Sequence, residues 1–361
     1  MATTDDISLA KGASAPSRSA ADVAEPKTPL LSAGNVALVL VLAALLALPF
    51  FTEGFFVFQM TKVLTYAVAI MGLNLLTGFN GQFSLGHGAF FAVGAYTTAI
   101  LVEMAGFDFV ATFPIAALIC FGFGFLFGFP ALRLEGIYLA LATFALAVAT
   151  PQILKLSPLE GLTGGVQGIY LFSETFGEPP VPAWAPVEAI FGVDEFDAGT
   201  YWVYLVTVAV LVLTYWILTN LVGSRTGRAM MAIRDNPIAA RSMGVNAAFY
   251  KTVAFGISAA VTGVAGGLAA ASTKFVAPDS FTFFVSVSFL VGLVVGGVGW
   301  LPGAIIGGAF VVFVPNYAEE VSQGLSGAFF GIFLILMIYL APNGVGGLIR
   351  AAADRIKRQT G

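Results

Sequence analysis

The chain has 361 residues, of which 58% are hydrophobic and 10% charged, with a mean hydropathy of +0.92 and a formal net charge of −4. So little charge cannot coat a soluble globule of this length, which makes the chain an integral membrane protein and leaves no basis for a nucleic-acid partner. One cysteine and one histidine exclude an internal disulfide framework and a nitrogen-and-sulfur ligand cluster for zinc or iron.

Residues 1–35 are polar and rich in Ala, Ser and Pro, and are expected to be a disordered cytoplasmic tail. The apolar run from Val36 has too long a polar stretch before it for a cleavable signal peptide, so it is expected to remain as a first span. At about 20 apolar residues per span, candidates follow at 36–52, 57–77, 83–103, 109–129, 136–154, 201–221, 252–272, 282–298, 302–318 and 327–347. The expected fold class is all-α, a polytopic integral membrane helical bundle of about ten transmembrane helices with both termini cytoplasmic. The eighth and ninth segments are short enough to be broken or re-entrant helices.

The first candidate site lies at the second junction. Residues 78–92, GFNGQFSLGHGAFFA, interrupt an apolar run with four glycines and the sole histidine. Irregular backbone is tolerated in lipid only where protein buries it or a watery cavity adjoins it. Gly78, Asn80 and Gly81 are expected to break the helix, with Asn80, Gln82 and Ser84 pairing the freed groups. Ser84 can N-cap the next helix and leave N–H groups free for a carboxylate or carbonyl oxygen. His87 is expected to bond to a neighbouring helix, with a pathway or gate contact as the alternative.

The spans contain almost no ionisable side chains. Glu103 lies at a helix end, and Arg133 and Glu135 are interfacial and close enough to pair. Ion-coupled transporters usually keep such groups at membrane depth, and no GxxxxGK[ST] phosphate loop is present, so energy must come from a partner. Small-residue spacings (Gly124/Gly128, Gly263/Gly267, Gly292/Gly296 and Gly303/Gly307) are expected to be helix contacts.

Residues 161–169, GLTGGVQGI, follow the fifth span. They form either a flexible turn or an outer entrance lined by Thr163, Gly164, Gly165 and Gln167, where successive glycine N–H groups can bind an anion. The segment 151–200 carries seven acids and Lys155 as its one basic residue, and is expected to be extracytoplasmic. The segment 222–251 carries Arg225, Arg228, Arg234, Arg241 and Lys251 with the single acid Asp235, and is expected to be cytoplasmic. With 351–361 as a basic cytoplasmic tail, this leaves only Lys62, Lys155 and Lys274 of the sixteen Lys and Arg outside. Within the loop, Asn236 can cap a helix that starts at Pro237 and runs to Met243, Gly244 can stop it, and Asn246 can cap the span that follows. A basic segment resting on anionic lipid remains an equal reading from the residues alone.

The stretch Ala239-Ala240-Arg241-Ser242-Met243-Gly244 resembles the AAxxxG part of the motif by which permeases of ATP-binding cassette (ABC) importers dock into their ATP-hydrolysing subunits. The runs GRAMMAIRDNPIAARSMGVN, GLNLLTGFNGQFSLGHGAFFAVGAY and LVGLVVGGVGWLPGAIIGGAF are similar to branched-chain amino acid permeases, over about residues 36–350. The resemblance is to the M-type subunit of the hydrophobic amino acid uptake class. It implies a permease domain over 36–350 that is not itself an enzyme and holds no cofactor, with ATP on separate subunits. It implies as partners a second permease, two cytoplasmic ATP-binding subunits, an extracytoplasmic binding protein and the lipid of a bacterial inner membrane. Coupling residues would be Arg228, Arg234, Asp235, Pro237, Ala239, Ala240, Arg241 and Gly244, although Ile238 stands where the general motif has Glu. The substrates implied are leucine, isoleucine, valine or related amino acids. The alternatives are urea or a short-chain amide, or an ion-coupled transporter or channel of another class.

Overall fold

A computed structural model describes residues 42–131, 136–171 and 195–321, with short pieces at 331–332, 335–336, 339 and 344–348. The chain divides into a unit of residues 1–44, of which 42–44 are described, and a unit of residues 45–361 to which everything below belongs. The tails 1–35 and 351–361, the pair Arg133 and Glu135, residues 36–41 of the expected first span and most of the expected span 327–347 lie outside the described residues.

Helix dominates because a backbone in lipid has only itself to bond to. After a 3-10 turn at Leu48–Phe50, α1 runs over Gly54–Asn74 and continues as a π-helical turn, Leu75–Phe79. Then come α2 (His87–Ala105), α3 (Phe109–Ala131), α4 (Ile137–Leu154) and the single turn α5 (Glu160–Thr163). The second half holds α6 (Glu195–Gly223), α7 (Arg225–Asp235), α8 (Pro237–Ser242), α9 (Ala247–Thr273), α10 (Phe283–Gly296) and α11 (Gly303–Val321). Six of these, α1 with its π-helical extension, α2, α3, α4, α6 and α9, are long and apolar enough to cross a membrane. At 1.5 Å per residue, α10 reaches only about 21 Å, short of a bilayer core of about 30 Å. The short eighth segment is thus a real feature of the fold.

The helices sort into two shells. Apolar windows of α1, α2 and α9 are 67% buried, against 33% for α3 and 28% for α4 and α6. The inner helices meet through glycine: a Cβ at Gly94 of α2 would fall on the backbone of Gly263 in α9, and one at Gly266 would meet the Phe91 carbonyl. Gly124 and Gly128 of α3 lie against Ala259 and Thr252, and Gly292 and Gly296 of α10 face Gly307 and Gly303 of α11. Each expected small-residue pair sits at a helix crossing, where close backbone approach replaces the missing hydrophobic drive.

The bundle has two distinct ends. At one, two-residue strands β1 (Ile169–Tyr170) and β2 (Phe275–Val276) pair antiparallel, Ile169 opposite Val276, and Lys155 forms an ion pair with Asp279. At the other, α7 and α8 link α6 to α9. Lys155 and Lys274, both expected outside, lie at the strand end, while the five basic residues of 222–251 belong to the opposite end. α4 runs to Leu154, α6 spans Glu195–Gly223 and α9 begins at Ala247.

Candidate coupling and gate site

The segment joining α6 to α9 is built from local caps. Ser224 accepts from the Gly227 N–H to open α7, and the Arg228 guanidinium donates back to the Gly223 carbonyl at 2.9 Å, tying off the end of α6. Asn236 Oδ1 accepts from the N–H groups of Ile238 and Ala239, and Pro237 takes the first helical position, where no N–H is needed. The helix is one residue shorter than expected: it ends at Ser242, Met243 is the C-cap, and Gly244 turns out of it with φ +82°. Only a residue without Cβ adopts that angle cheaply. Asn246 then accepts from Phe249 N–H and opens α9.

This segment has an inside and an outside. Ile233, Ala240 and Ala247 are buried together, with Val245 and Tyr250 packed against them. Ala239, Arg241 and Ser242 are exposed, and two large apolar side chains, Ile238 and Met243, are 75% and 84% exposed. Ile238 in the first turn and Met243 at the C-cap thus put apolar surface on the outer side of this segment.

Arg234, near the end of α7, connects this segment to the break in α1. Its Nη1 donates to the Gly78 carbonyl at 2.9 Å, while Nε and Nη2 hold Asp235 Oδ1 at 2.9 and 2.8 Å. Gly81, at φ +73°, lies so close that an added Cβ would be 2.8 Å from Arg234 Cγ.

The break itself is densely bonded. Asn74 clamps the turn between α10 and α11, accepting from Gly299 N–H and donating to the Trp300 carbonyl. Thr77 donates to the Gln82 carbonyl, and the Gln82 amide donates to the Lys251 carbonyl near the start of α9 at 3.0 Å. Thr143 of α4 accepts from Leu85 N–H, and Ser286 of α10 accepts from Gly88 N–H. Asn80 is 1% exposed, and among the described residues neither its oxygen nor its amide nitrogen has a hydrogen-bond partner.

The Ser84 expectation fails for a visible reason. Gly86 is the N-cap of α2, because the Ser84 hydroxyl is spent on the Gly86 N–H and the His87 ring at 3.0 Å. Nor are the first N–H groups of α2 left open: Gly88 N–H goes to Ser286 and Ala89 N–H to the Gly86 carbonyl. His87 lies between two serines, with Nε2 2.6 Å from Ser258 Oγ. Since the Ser258 proton goes to the Gly72 carbonyl, Nε2 must carry the ring proton and donate, leaving Nδ1 to accept from Ser84. None of these partners is a carboxylate.

Residues 163–167 sit at the strand end, apart from this junction. Thr163 is buried and donates to the carbonyls of Leu154 and Leu159, and its oxygen accepts from Gly165 N–H. Gly164 N–H goes to Glu160 and Gly168 N–H to Gly164, so the expected glycine nest spends these donors internally. Gln167 is exposed beside β1. Asn74, Thr143, Ser258 and Ser286 also hold this junction, and nothing local in the sequence marks them. Each is a lone polar residue in an apolar run, a signal that only its distant partner makes specific.

The family described as the branched-chain amino acid transport system permease component matches residues 55–341, the whole stretch that holds both the break and α8. The chain belongs to that family. It is 34% identical over 346 residues to the high-affinity branched-chain amino acid transport system permease protein LivM of Salmonella typhimurium, covering 92% of this chain and 80% of the relative. With LivM of Escherichia coli K12 it shares 35% over 330 residues, 88% of this chain and 77% of that one. With the permease BraD of Pseudomonas aeruginosa it shares 24% over 303 residues, 78% and 92% of the two chains. No solved structure matches it significantly. This branched-chain permease family member is a multi-pass membrane protein and a transport component, not an enzyme.

Proposed function

We propose that the chain is one permease subunit of an ATP-driven importer for leucine, isoleucine, valine or related amino acids in a bacterial inner membrane. The observation that carries the mechanism is the bond from Arg234 to the Gly78 carbonyl, which ties α7, next to the outward-facing α8, to the broken end of α1. In this reading the α7–α8 end faces the cytoplasm, ten spans put both termini on that side, and the strand end faces out.

Two ATP-binding subunits dock on α8 through Ile238, Met243 and the exposed polar face around Arg241. ATP stays on those subunits. A second permease completes the pathway, and an extracytoplasmic binding protein delivers substrate to the strand end near Thr163–Gln167. When the ATPase pair closes, α8 and α7 move as one capped unit. Arg234 and the Gln82–Lys251 bond carry that displacement to residues 74–87, and the break acts as the cytoplasmic gate. Such irregular backbone between helical halves is where transporters commonly change shape.

Radiolabelled leucine uptake in cells with and without this gene tests the reading, with unlabelled isoleucine, urea and acetamide as competitors. An energy-dependent component that requires the gene and is competed by isoleucine is expected. Unchanged leucine uptake in the deletion strain would overturn the substrate assignment.

A further inference from the structure

We propose that a pocket between α1, α2 and the last turn of α9 is a substrate site on the pathway, holding a single apolar α-amino acid by its carboxylate. The inference rests on the importer reading and adds a site to it. The cavity has a volume of about 200 Å³ near the strand end of the bundle. That is room enough for a small ligand such as one amino acid.

Lys62, Thr65 and Tyr66 of α1 share one wall, at the i, i+3, i+4 spacing that puts side chains on one helix face. Lys62 lies eight residues into α1, about 12 Å along it. Its side chain is half-buried, with Nζ 4.6 Å from the centre of the Phe58 ring, and no carboxylate pairs with it among the described residues. A half-buried ammonium is costly unless something anionic meets it.

Thr65 supplies the independent sign. It is 1% exposed, yet its hydroxyl has no hydrogen-bond partner among the described residues. Thr61, Thr97, Thr150 and Thr207 each bond to the carbonyl four residues back. Thr65 makes no such bond, and the residue lines the cavity one turn along α1 from Lys62.

The remaining walls suit the rest of the ligand. Phe91 and Phe281, with rings 6.0 Å apart, offer apolar contact for an aliphatic side chain. Thr273 belongs to the C-terminal turn of α9, whose carbonyls form the negative end of a helix dipole and favour an α-ammonium. Beneath, Tyr66, Phe91 and Phe289 pack edge to face with ring centres 5.2 to 6.1 Å apart. Along α1 and α2 these rings lie on the side of the pocket toward Gly72 and His87.

The test is equilibrium binding of tritiated leucine to the purified importer, this chain with its partner subunits and without external binding protein. Saturable binding is expected, weakened about tenfold or more by Lys62→Met and several-fold by Thr65→Val, with Lys62→Arg within about threefold of wild type. Isoamylamine, which is leucine without its carboxylate, should fail to compete. The proposal is overturned if wild type shows no saturable binding, if Lys62→Met and Thr65→Val both bind as wild type does, or if isoamylamine competes as well as leucine. Should Lys62→Met fail to assemble, Thr65→Val, Lys62→Arg and the competition decide. Cells scored in parallel separate the two readings: gene-dependent leucine uptake with any overturning result removes the site alone, whereas uptake independent of the gene removes the importer reading and this site with it.

Discussion

His87 is held at both ring nitrogens, by Ser84 and Ser258, and Ser258 in turn holds the Gly72 carbonyl. One residue therefore ties the start of α2 to α9 and α1. His87→Gln keeps an amide donor for Ser258 and is expected to preserve substantial uptake. His87→Ala leaves two buried hydroxyls short of a partner, at about 1–3 kcal/mol each, and should lower the melting temperature of the purified importer. Total loss of uptake in normally expressed His87→Gln would refute this structural role. That His87 bonds to a neighbouring helix was legible from a polar ring flanked by glycines in an apolar run. Its partner Ser258 was not, because 171 residues separate them and nothing local in either segment names the other. Ser84 shows the reverse failure: it carries a local N-cap signal, but the imidazole and Gly86 claim its oxygen first.

Among the elements, α8 is the most legible. Its caps Asn236, Pro237 and Gly244 act within three residues, and local rules placed it correctly to within one residue at its end. Asn236→Ala removes the acceptor for two helix N–H groups, costs about 1 kcal/mol of local stability, and is expected to reduce ATP-driven uptake at unchanged protein level. Equal uptake would show that α8 docks without being preformed. The π-helical turn at Leu75–Phe79 and the β1–β2 pair were not legible, since contacts far along the chain stabilise both: Asn74 with Gly299 and Trp300, and Ile169 with Val276. The hairpin of α10 and α11 makes a further prediction. Gly292→Val would push side-chain atoms into Ile70 of α1 and against the Gly307 backbone. The yield of intact, monodisperse protein should fall sharply, while Gly122→Val, where a Cβ meets nothing within 4 Å, should leave it unchanged.

At the scale of the molecule, three inner helices packed through glycine carry the break, and outer helices present Leu118, Leu126 and Trp216 outward, as lipid requires. Composition alone placed the chain in a membrane, because that conclusion needs only the scarcity of charge. Which helices lie inside depends on which glycines face each other, and single-chain spacing reports the glycines without their partners. The central claim is that force enters at α8 and reaches the gate through Arg234. The most direct test is the ratio of leucine transported to ATP hydrolysed in proteoliposomes containing the complete importer, with wild-type or Arg234→Met permease. Loss of most leucine transport with substantial ATP hydrolysis retained is the predicted result; an unchanged ratio would contradict the account.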